Sequence, residues 1–259
     1  GTVGSNPTVS ATRSSKLKGL LKAVNFDSGN YVIMVTKFGK IKRTELSMYK
    51  NVRKNGLIAI GLDEGDEIAG VRMTDGNAQL FVATHNGMAI RIDENNVRPM
   101  SRSAHGVKAI KLREGDYVVS MARVREGATL VTITENGFGK RCSLDAYKLQ
   151  RRGGFGLKNY KVDEERGHVC GIKVVDEDDD IIMISSDGII IRIRTSDIRI
   201  MGRIAKGVRV MRVRDDVKVV AFTRAEHDDS AEVNEVEQLS EAEVKAAEEE
   251  AAKEEQQGN

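Results

Sequence analysis

Arginine recurs at one position of the chain, four residues after a glycine, in four separate places. The guanidinium group is planar and permanently charged, and it can donate two parallel hydrogen bonds to a phosphate. A row of such groups can follow a phosphodiester backbone without reading the bases. The row therefore predicts contact with DNA, and the alternative is that each arginine pairs with a carboxylate between neighbouring repeats. The arginines are Arg43, Arg91, Arg141 and Arg192, and the glycines are Gly39, Gly87, Gly137 and Gly188.

A second basic position lies a few residues before another recurring glycine. Its members are Arg102, Arg152 and Arg203, with Arg53 displaced by one place. The segment QRRGGFG at 150–156 surrounds one of them. Its adjacent arginines supply charge and paired donors, and its glycines let the backbone approach a ligand closely. We predict that this segment contacts DNA through Gln150, Arg151, Arg152, Gly153, Gly154, Phe155 and Gly156.

Catalytic chemistry is not indicated by the remaining reactive residues. The four histidines show no spacing typical of a metal site or of a nucleophile with its general base. The sequence contains no GxxxxGK[ST] loop, and Cys142 and Cys170 form no CxxC motif. The acidic run at 176–180 is interpreted as a solvated loop between strands. We therefore expect a binding module without catalytic residues, cofactor or metal.

Two sets of glycines recur in step along the chain. The turn glycines are spaced by 48, 50 and 51 residues. Asn86-Gly87 and its equivalents predict two-residue hairpin turns with both central residues at positive φ, whereas Phe38 requires another turn type. The second glycine of each repeat opens another short strand. These second glycines are Gly56, Gly106, Gly156 and Gly207, spaced by 50, 50 and 51 residues.

The repeats predict an all-β fold of about four blades. Each repeat supplies about four short strands, and such a unit must bury its faces against its neighbours, as propeller blades do. A sandwich or barrel is less favoured because its strands need not repeat in sequence. We expect linker or expression-derived residues at 1–18, a repeat domain at 19–225 and an acidic tail at 226–259. Within the repeat domain the blades are expected near 27–73, 74–123, 124–175 and 176–224.

The net charge of +2 conceals an uneven distribution. Of 41 Lys and Arg and 39 Asp and Glu, the tail at 226–259 holds 2 and 13, which leaves 39 and 26 in the body. A basic body favours a polyanionic partner, and the tail is a candidate competitor for the same surface. A solubilising tail is the plainer interpretation. The sequence contains no apolar run of about 20 residues, and we expect a cytoplasmic protein.

The segment QRRGGFG resembles the QRRGGKG box of the DNA gyrase A C-terminal domain, and the repeats at about 19–225 are similar to that domain throughout. The resemblance implies a β-pinwheel, normally of six blades, whose basic rim wraps double-stranded DNA with positive handedness. It also implies, as partners, the rest of the gyrase A subunit, together with the gyrase B subunit. Their holoenzyme uses ATP and Mg²⁺ to introduce negative supercoils, and the location implied is the bacterial cytoplasm, at the nucleoid.

The chain departs from the family pattern in three ways. Phe155 replaces the lysine of the box, the box-like segment lies in the next-to-last repeat rather than the first blade, and the domain with the catalytic tyrosine is absent. Three alternatives stay open. They are the equivalent domain of topoisomerase IV, a protein-interaction propeller of the kelch or chromatin-binding type, and an enzyme with a propeller pocket. The scarcity of aromatic residues, 4% of the chain, counts against an interaction propeller.

Overall fold

The computed structural model describes residue 26 and residues 29–52 and 54–227. These residues form β-strands and four short 3-10 turns, which confirms the predicted all-β, propeller-like class. None of the described helices is long and apolar enough to cross a membrane. The predicted linker at 1–18, Arg53 and the acidic tail beyond His227 lie outside the described residues.

The strands form four sheets, which we call blades 1 to 4. Blade 1 contains β1 (Tyr31–Thr36), β2 (Lys40–Glu45), β3 (Ile68–Thr74) and β6 (Val107–Lys108). Blade 2 contains β4 (Gln79–Thr84), β5 (Met88–Asp93), β7 (Val118–Arg123), β10 (Leu149–Gln150) and β11 (Leu157–Lys158). Blade 3 contains β8 (Thr129–Thr134), β9 (Phe138–Ser143), β12 (Val169–Val175) and β15 (Val208–Arg209). Blade 4 contains β13 (Asp179–Ser185), β14 (Ile190–Arg194) and β16 (Val219–Glu226).

Each blade is built on an antiparallel hairpin with one further strand beside its first strand, and blades 1 to 3 also carry short strands beside the second. The strands β3, β7, β12 and β16 line one cavity, and we call them the inner strands. The second strand of each hairpin leads into a 3-10 turn. The turns are Leu46–Tyr49, Glu94–Asn96, Leu144–Ala146 and Thr195–Asp197.

The core lies between blades. Ile33 of β1 packs with Leu80 of β4 in the core between blades 1 and 2, and Phe81 packs with Leu130 in the next. The core between blades 3 and 4 is built in the same way. In blade 1, the other face of β1 is covered by residues of the same repeat, among them Leu46 and Tyr49. The first strand of each hairpin is therefore largely buried on both faces, and its sequence is a nearly continuous apolar run.

The hairpin turns differ from the predicted two-residue type. Thr36 and Lys40 flank a three-residue loop, in which the N–H of Gly39 donates to the carbonyl of Thr36 over 3.0 Å. The same bond closes the hairpins of the other three blades. The glycine is therefore the last residue of the turn, where positive φ is needed, and Gly39 has a φ of 82°. Asn86 and Phe38 occupy the same place, so Phe38 needs no special turn.

A short strand is exchanged between consecutive blades. The strand β6 comes from the second repeat and pairs antiparallel with β2 of blade 1. In the same way β11 pairs with β5, and β15 pairs with β9. The expectation that each repeat builds its own four-stranded blade was wrong, because the outer edge of a sheet is satisfied by hydrogen bonds from the next repeat. Blade 4 has three strands among the described residues.

Glycine is required where the exchanged strand enters the neighbouring blade. A Cβ atom on Gly106 would lie 2.6 Å from the carbonyl oxygen of Ile41, and one on Gly156 would lie 2.5 Å from that of Ala89. The equivalent Gly56 has no described atom within 4 Å of its Cβ position. Gly106 and Gly56 have similar φ values, 86° and 78°. The two positions therefore share their backbone strain and differ in crowding.

The variants Gly106→Ala and Gly56→Ala separate these two effects. Both force alanine into a left-handed conformation, which costs about 1 kcal/mol. Only Gly106→Ala also drives a methyl group into a carbonyl of the preceding blade. We expect it to lower the free energy of unfolding by about 2 kcal/mol more than Gly56→Ala does, as measured by urea denaturation. Equal losses of unfolding free energy in the two variants would contradict the view that Gly106 is needed because of crowding where the exchanged strand enters the sheet.

Candidate nucleic-acid interface

The first arginine row connects each blade to the next. In blade 1, Nη1 of Arg43 donates to Oδ1 of Asn95 over 2.9 Å, and Nε lies 3.3 Å from a carboxylate oxygen of Glu94. The guanidinium also lies 3.8 Å from the ring centroid of Tyr31. Asn95 and Glu94 belong to the 3-10 turn of blade 2. The side chain of Arg43 is 6% exposed and that of Glu94 is fully buried. This ion pair is therefore part of the buried contact between blades 1 and 2.

The equivalent arginines of blades 2 and 3 hold the turns that follow them. Arg91 donates to the carbonyls of Leu144 and Tyr147 over 2.8 and 3.2 Å. Arg141 donates to the carbonyl of Ile198 over 2.9 Å and forms an ion pair with Glu177. Except for Glu177, these acceptors lie in or beside the 3-10 turn of the next blade. The row thus repeats one inter-blade contact three times.

Arg192 makes different contacts because it lies in blade 4. Its Nε donates to Asp180 over 2.6 Å, and its Nη2 donates to the carbonyl of Glu226 over 3.0 Å. All four guanidinium groups of the first row are therefore engaged inside the fold, and Arg43 and Arg141 are buried. The carboxylate pairing of the alternative interpretation is present between repeats for Arg43 and Arg141, whereas Arg91 holds carbonyls and Arg192 pairs within its own blade. Contact of this row with DNA stays a prediction.

Two buried lysines, which the sequence patterns did not single out, support the loops of the second basic row. Nζ of Lys42 donates to the carbonyls of Ala59 and Arg102, and Nζ of Lys140 donates to those of Arg203 and Ala205. Burial, followed by the charge of Arg102, lowers the pKa of Lys42 to about 8. Isoleucine takes the lysine position in repeats 2 and 4. Each lysine precedes the first-row arginine of its repeat, which is the signal that could have revealed it.

The segment at 150–156 is held against the outer edge of blade 2. The short strands β10 and β11, on either side of it, both pair with β5, one parallel and one antiparallel. Within the segment, the N–H of Gly153 donates to the carbonyl of Ala109 over 2.6 Å. Arg152 donates to the carbonyls of Asn96 and Lys108 over 2.9 and 3.2 Å. The loop is thus fixed in place while its surface stays exposed.

Two side chains of this segment project from the fold. Arg151 is exposed and forms no ion pair with another described residue. Phe155 is 43% exposed, and its ring centroid lies 4.8 Å from Nζ of Lys111 and 5.7 Å from the guanidinium of Arg113. The aromatic ring that replaces the box lysine therefore gathers two cations beside the loop. Gln150 is half-buried.

Further basic rows were missed in the sequence, although they have the same spacing as the glycines. One follows the 3-10 turns, one lies on the exchanged strands, and one lies three residues beyond those strands. All members are exposed, and none forms an ion pair with another described residue. At the second basic position, which was predicted from the sequence, Arg152 is exposed and Arg102 and Arg203 are half-buried. The rows are Lys50, Arg98, Lys148 and Arg199; Lys108, Lys158 and Arg209; and Lys111, Lys161 and Arg212.

Four segments of the chain, 30–75, 78–125, 128–176 and 179–226, match the family model described as the DNA gyrase C-terminal domain, beta-propeller. The chain belongs to this family. Each matched segment contains one hairpin with its arginine and its inner strand, which is the part of a blade that a single repeat supplies.

Individual relatives agree with the family assignment. The DNA gyrase A subunit of Clostridium acetobutylicum is 45% identical over 228 residues, which cover 88% of this chain and 28% of the relative. The equivalent protein of Halalkalibacterium halodurans is 55% identical over 216 residues, covering 83% and 26%. A crystal structure of the C-terminal domain of DNA topoisomerase IV superposes with a TM-score of 0.76 at 28% identity, covering 91% of this chain and 70% of that one. The chain thus spans about a quarter of the length of the curated relatives.

The first-row arginines of this gyrase-family domain are expected to be structural. Arg43→Met leaves the fully buried carboxylate of Glu94 without its cation, and such a loss costs about 3–5 kcal/mol of unfolding free energy. Arg151→Met removes an exposed charge that forms no ion pair with the rest of the described fold, and it should change stability by less than about 0.5 kcal/mol. Chemical denaturation of both variants measures the difference. If Arg43→Met lowers the free energy of unfolding by less than about 1 kcal/mol, the ion pair between Arg43 and Glu94 contributes little to stability.

Proposed function

We propose that this chain is a DNA-binding and DNA-wrapping module of a bacterial DNA gyrase A subunit. One observation carries the proposal, namely the exposed basic rows that recur from blade to blade along the outer edges. Family membership supports it, since the C-terminal domain of gyrase is the region that this chain matches.

Phosphate contacts explain why these rows need no base-reading groups. Neutralising phosphates releases counterions, and this term gives binding without sequence preference. Successive blades present equivalent cations on a curved surface, so a duplex that follows them must bend, and many phosphate contacts offset the bending energy. In this proposal Arg151, Arg152 and Phe155 form the main contact with DNA, together with Arg102 and Arg203. In this proposal the first row contributes chiefly by fixing the angles between neighbouring blades, and hence the curvature of the basic surface.

The wrapped segment would be presented for strand passage by the holoenzyme. In the proposal, the partners are the rest of the gyrase A subunit, together with the gyrase B subunit. Negative supercoiling is driven by ATP with Mg²⁺ at sites outside this chain. The chain itself needs no cofactor for wrapping. Its place of action would be the bacterial cytoplasm, at the nucleoid.

Two other functions are supported by particular observations. The similarity to the topoisomerase IV domain supports the equivalent role in that enzyme, although the relatives of 45% and 55% identity are gyrase subunits. A protein-interaction role is supported by exposed isoleucines on β14 of blade 4 and in the loop that follows, beside the outer edge of blade 3. Ile190, Ile200 and Ile204 are 63%, 56% and 69% exposed, and a partner protein could cover them.

The exposed basic rows and the 150–156 loop together form what we call the rim. The salt dependence of DNA binding tests the rim directly. Each lost phosphate contact should reduce the slope of log affinity against log salt by about 0.9. We therefore expect Lys108→Gln/Lys158→Gln to lower the magnitude of the slope by about 1.8 on duplex DNA, as measured by fluorescence anisotropy between about 50 and 200 mM salt.

The matched control removes two cations beside the inner strands. Lys37→Gln/Lys218→Gln makes the same change in net charge, at half-buried Lys37, which pairs with Glu67, and at exposed Lys218, which donates to Asn136. Its salt slope should stay close to that of the parent chain. Equal effects of the two double variants would mean that net charge, rather than the rim, governs binding.

Chiral wrapping has a separate readout in DNA topology. Relaxed circular DNA is incubated with the chain, nicked and religated, and the linking number is measured after the protein is removed. We expect a positive shift that grows with protein concentration, because the resemblance implies a wrap of positive handedness. Binding without a shift would contradict wrapping by these four blades. Absence of binding at low salt would overturn the proposal and favour the protein-interaction role.

A further inference from the structure

A cavity of about 690 Å³ lies between the inner strands, on the opposite edge of each blade from the basic rim. Strand register places one residue of each blade at an equivalent position along it. Arg72, Ala122, Lys173 and Thr223 pair with the hairpin residues that stand six places before the turn glycine of each repeat. Blades 1 and 3 thus supply cations at this level, and blades 2 and 4 supply small side chains that leave space.

Most of the other charges around the cavity are neutralised by the fold. Arg123 pairs with Asp75 at 2.7 Å, and Arg125 pairs with Asp176 at 2.8 Å. Arg224 lies 3.0 Å from Asp179. Glu126 also lines the cavity but is exposed to solvent.

Arg72 and Lys173 differ from these arginines, because neither forms an ion pair with a described residue. Nη1 of Arg72 donates to the carbonyl of Val71 over 2.7 Å, and Nζ of Lys173 lies 6.0 Å from the ring centroid of Phe222. Both cations keep donors that no acidic side chain of the described residues satisfies.

The two cations also disfavour each other. Burial, followed by the charge of Arg72, lowers the pKa of Lys173 to about 8, and burial lowers the pKa of Arg72. Like charges in a half-buried cavity destabilise the fold until an anion neutralises them. A further donor is ready nearby, since Nε of Arg125 is buried without a hydrogen-bond partner among the described residues.

We propose that Arg72 and Lys173 bind a compact multivalent oxyanion of the phosphate class, such as pyrophosphate, in the cavity between the inner strands. The cavity has the volume of a small-molecule site. The guanidinium suits paired phosphate oxygens, and the ammonium supplies a second positive charge from the opposite blade. This site is separate from the rim and goes beyond the proposed DNA function.

Calorimetric titration of the whole chain with pyrophosphate at pH 7 and low chloride tests the proposal. We expect one saturable site, and we expect Arg72→Gln/Lys173→Gln to weaken it at least tenfold. The matched control, Arg151→Gln/Arg152→Gln, removes the same charge from the rim and should keep the affinity within twofold. If circular dichroism shows that the cavity variant is unfolded, Lys173→Gln alone must weaken binding at least fivefold.

Several outcomes would overturn the site. They are no saturable binding, unchanged affinity in the folded cavity variant, an equal loss in the rim variant, or citrate binding as tightly as pyrophosphate. DNA affinity of the same proteins separates this proposal from the previous one. A chain that binds DNA without binding pyrophosphate refutes the cavity site only, and one that binds pyrophosphate without binding DNA refutes the rim only.

Discussion

Backbone hydrogen bonds across the outer edge of each sheet are the interaction on which the rest of the structure depends. A free sheet edge leaves N–H and C=O groups unpaired and open to wrong partners. Here the strand that completes blade 1 belongs to the second repeat, and the same exchange joins blades 2 and 3 to the repeats that follow. Blades 1 to 3 are therefore each incomplete without the repeat that follows, and stability accumulates along the array from nearest-neighbour contacts.

The exchange explains the repeated glycines and much of the repeated basic chemistry. Gly106 must bring its backbone against the carbonyl of Ile41 for its strand to enter the sheet of the preceding blade. Next to the exchanged strand, Lys42 and Arg43 donate hydrogen bonds to carbonyls of the second repeat. The contact between the two repeats is therefore fixed by charge-assisted bonds as well as by the backbone hydrogen bonds of the exchanged strand. These cations are engaged inside the fold. The cations that remain available for a polyanion lie after the 3-10 turns, in the 150–156 loop, on the exchanged strands and just beyond them.

Residues of one chemical type thus have two roles that depend on position alone. Arg141 and Arg151 lie ten residues apart, yet the first is buried against blade 4 and the second is exposed beside blade 2. The sequence places the four first-row arginines at one position of the repeat, but it does not show the neighbouring blade that covers Arg43 and Arg141. For the same reason the buried lysines were not singled out, since nothing in a single repeat shows which carbonyls another repeat will bring within reach.

The amino-acid sequence by itself determined the repeat length, the number of hairpins, the all-β class and the basic character of the 150–156 loop. These features follow from local rules, because apolar runs, turn glycines and charge can be read within a window of about fifty residues. Only the tertiary structure decided the strand exchange, the three-residue geometry of the turns, the burial of the first arginine row and the meeting of Arg72 with Lys173 at one cavity. Each of these features depends on contacts between repeats. The same local sequence pattern is compatible with a buried or an exposed side chain, and only the packing of neighbouring blades decides between them.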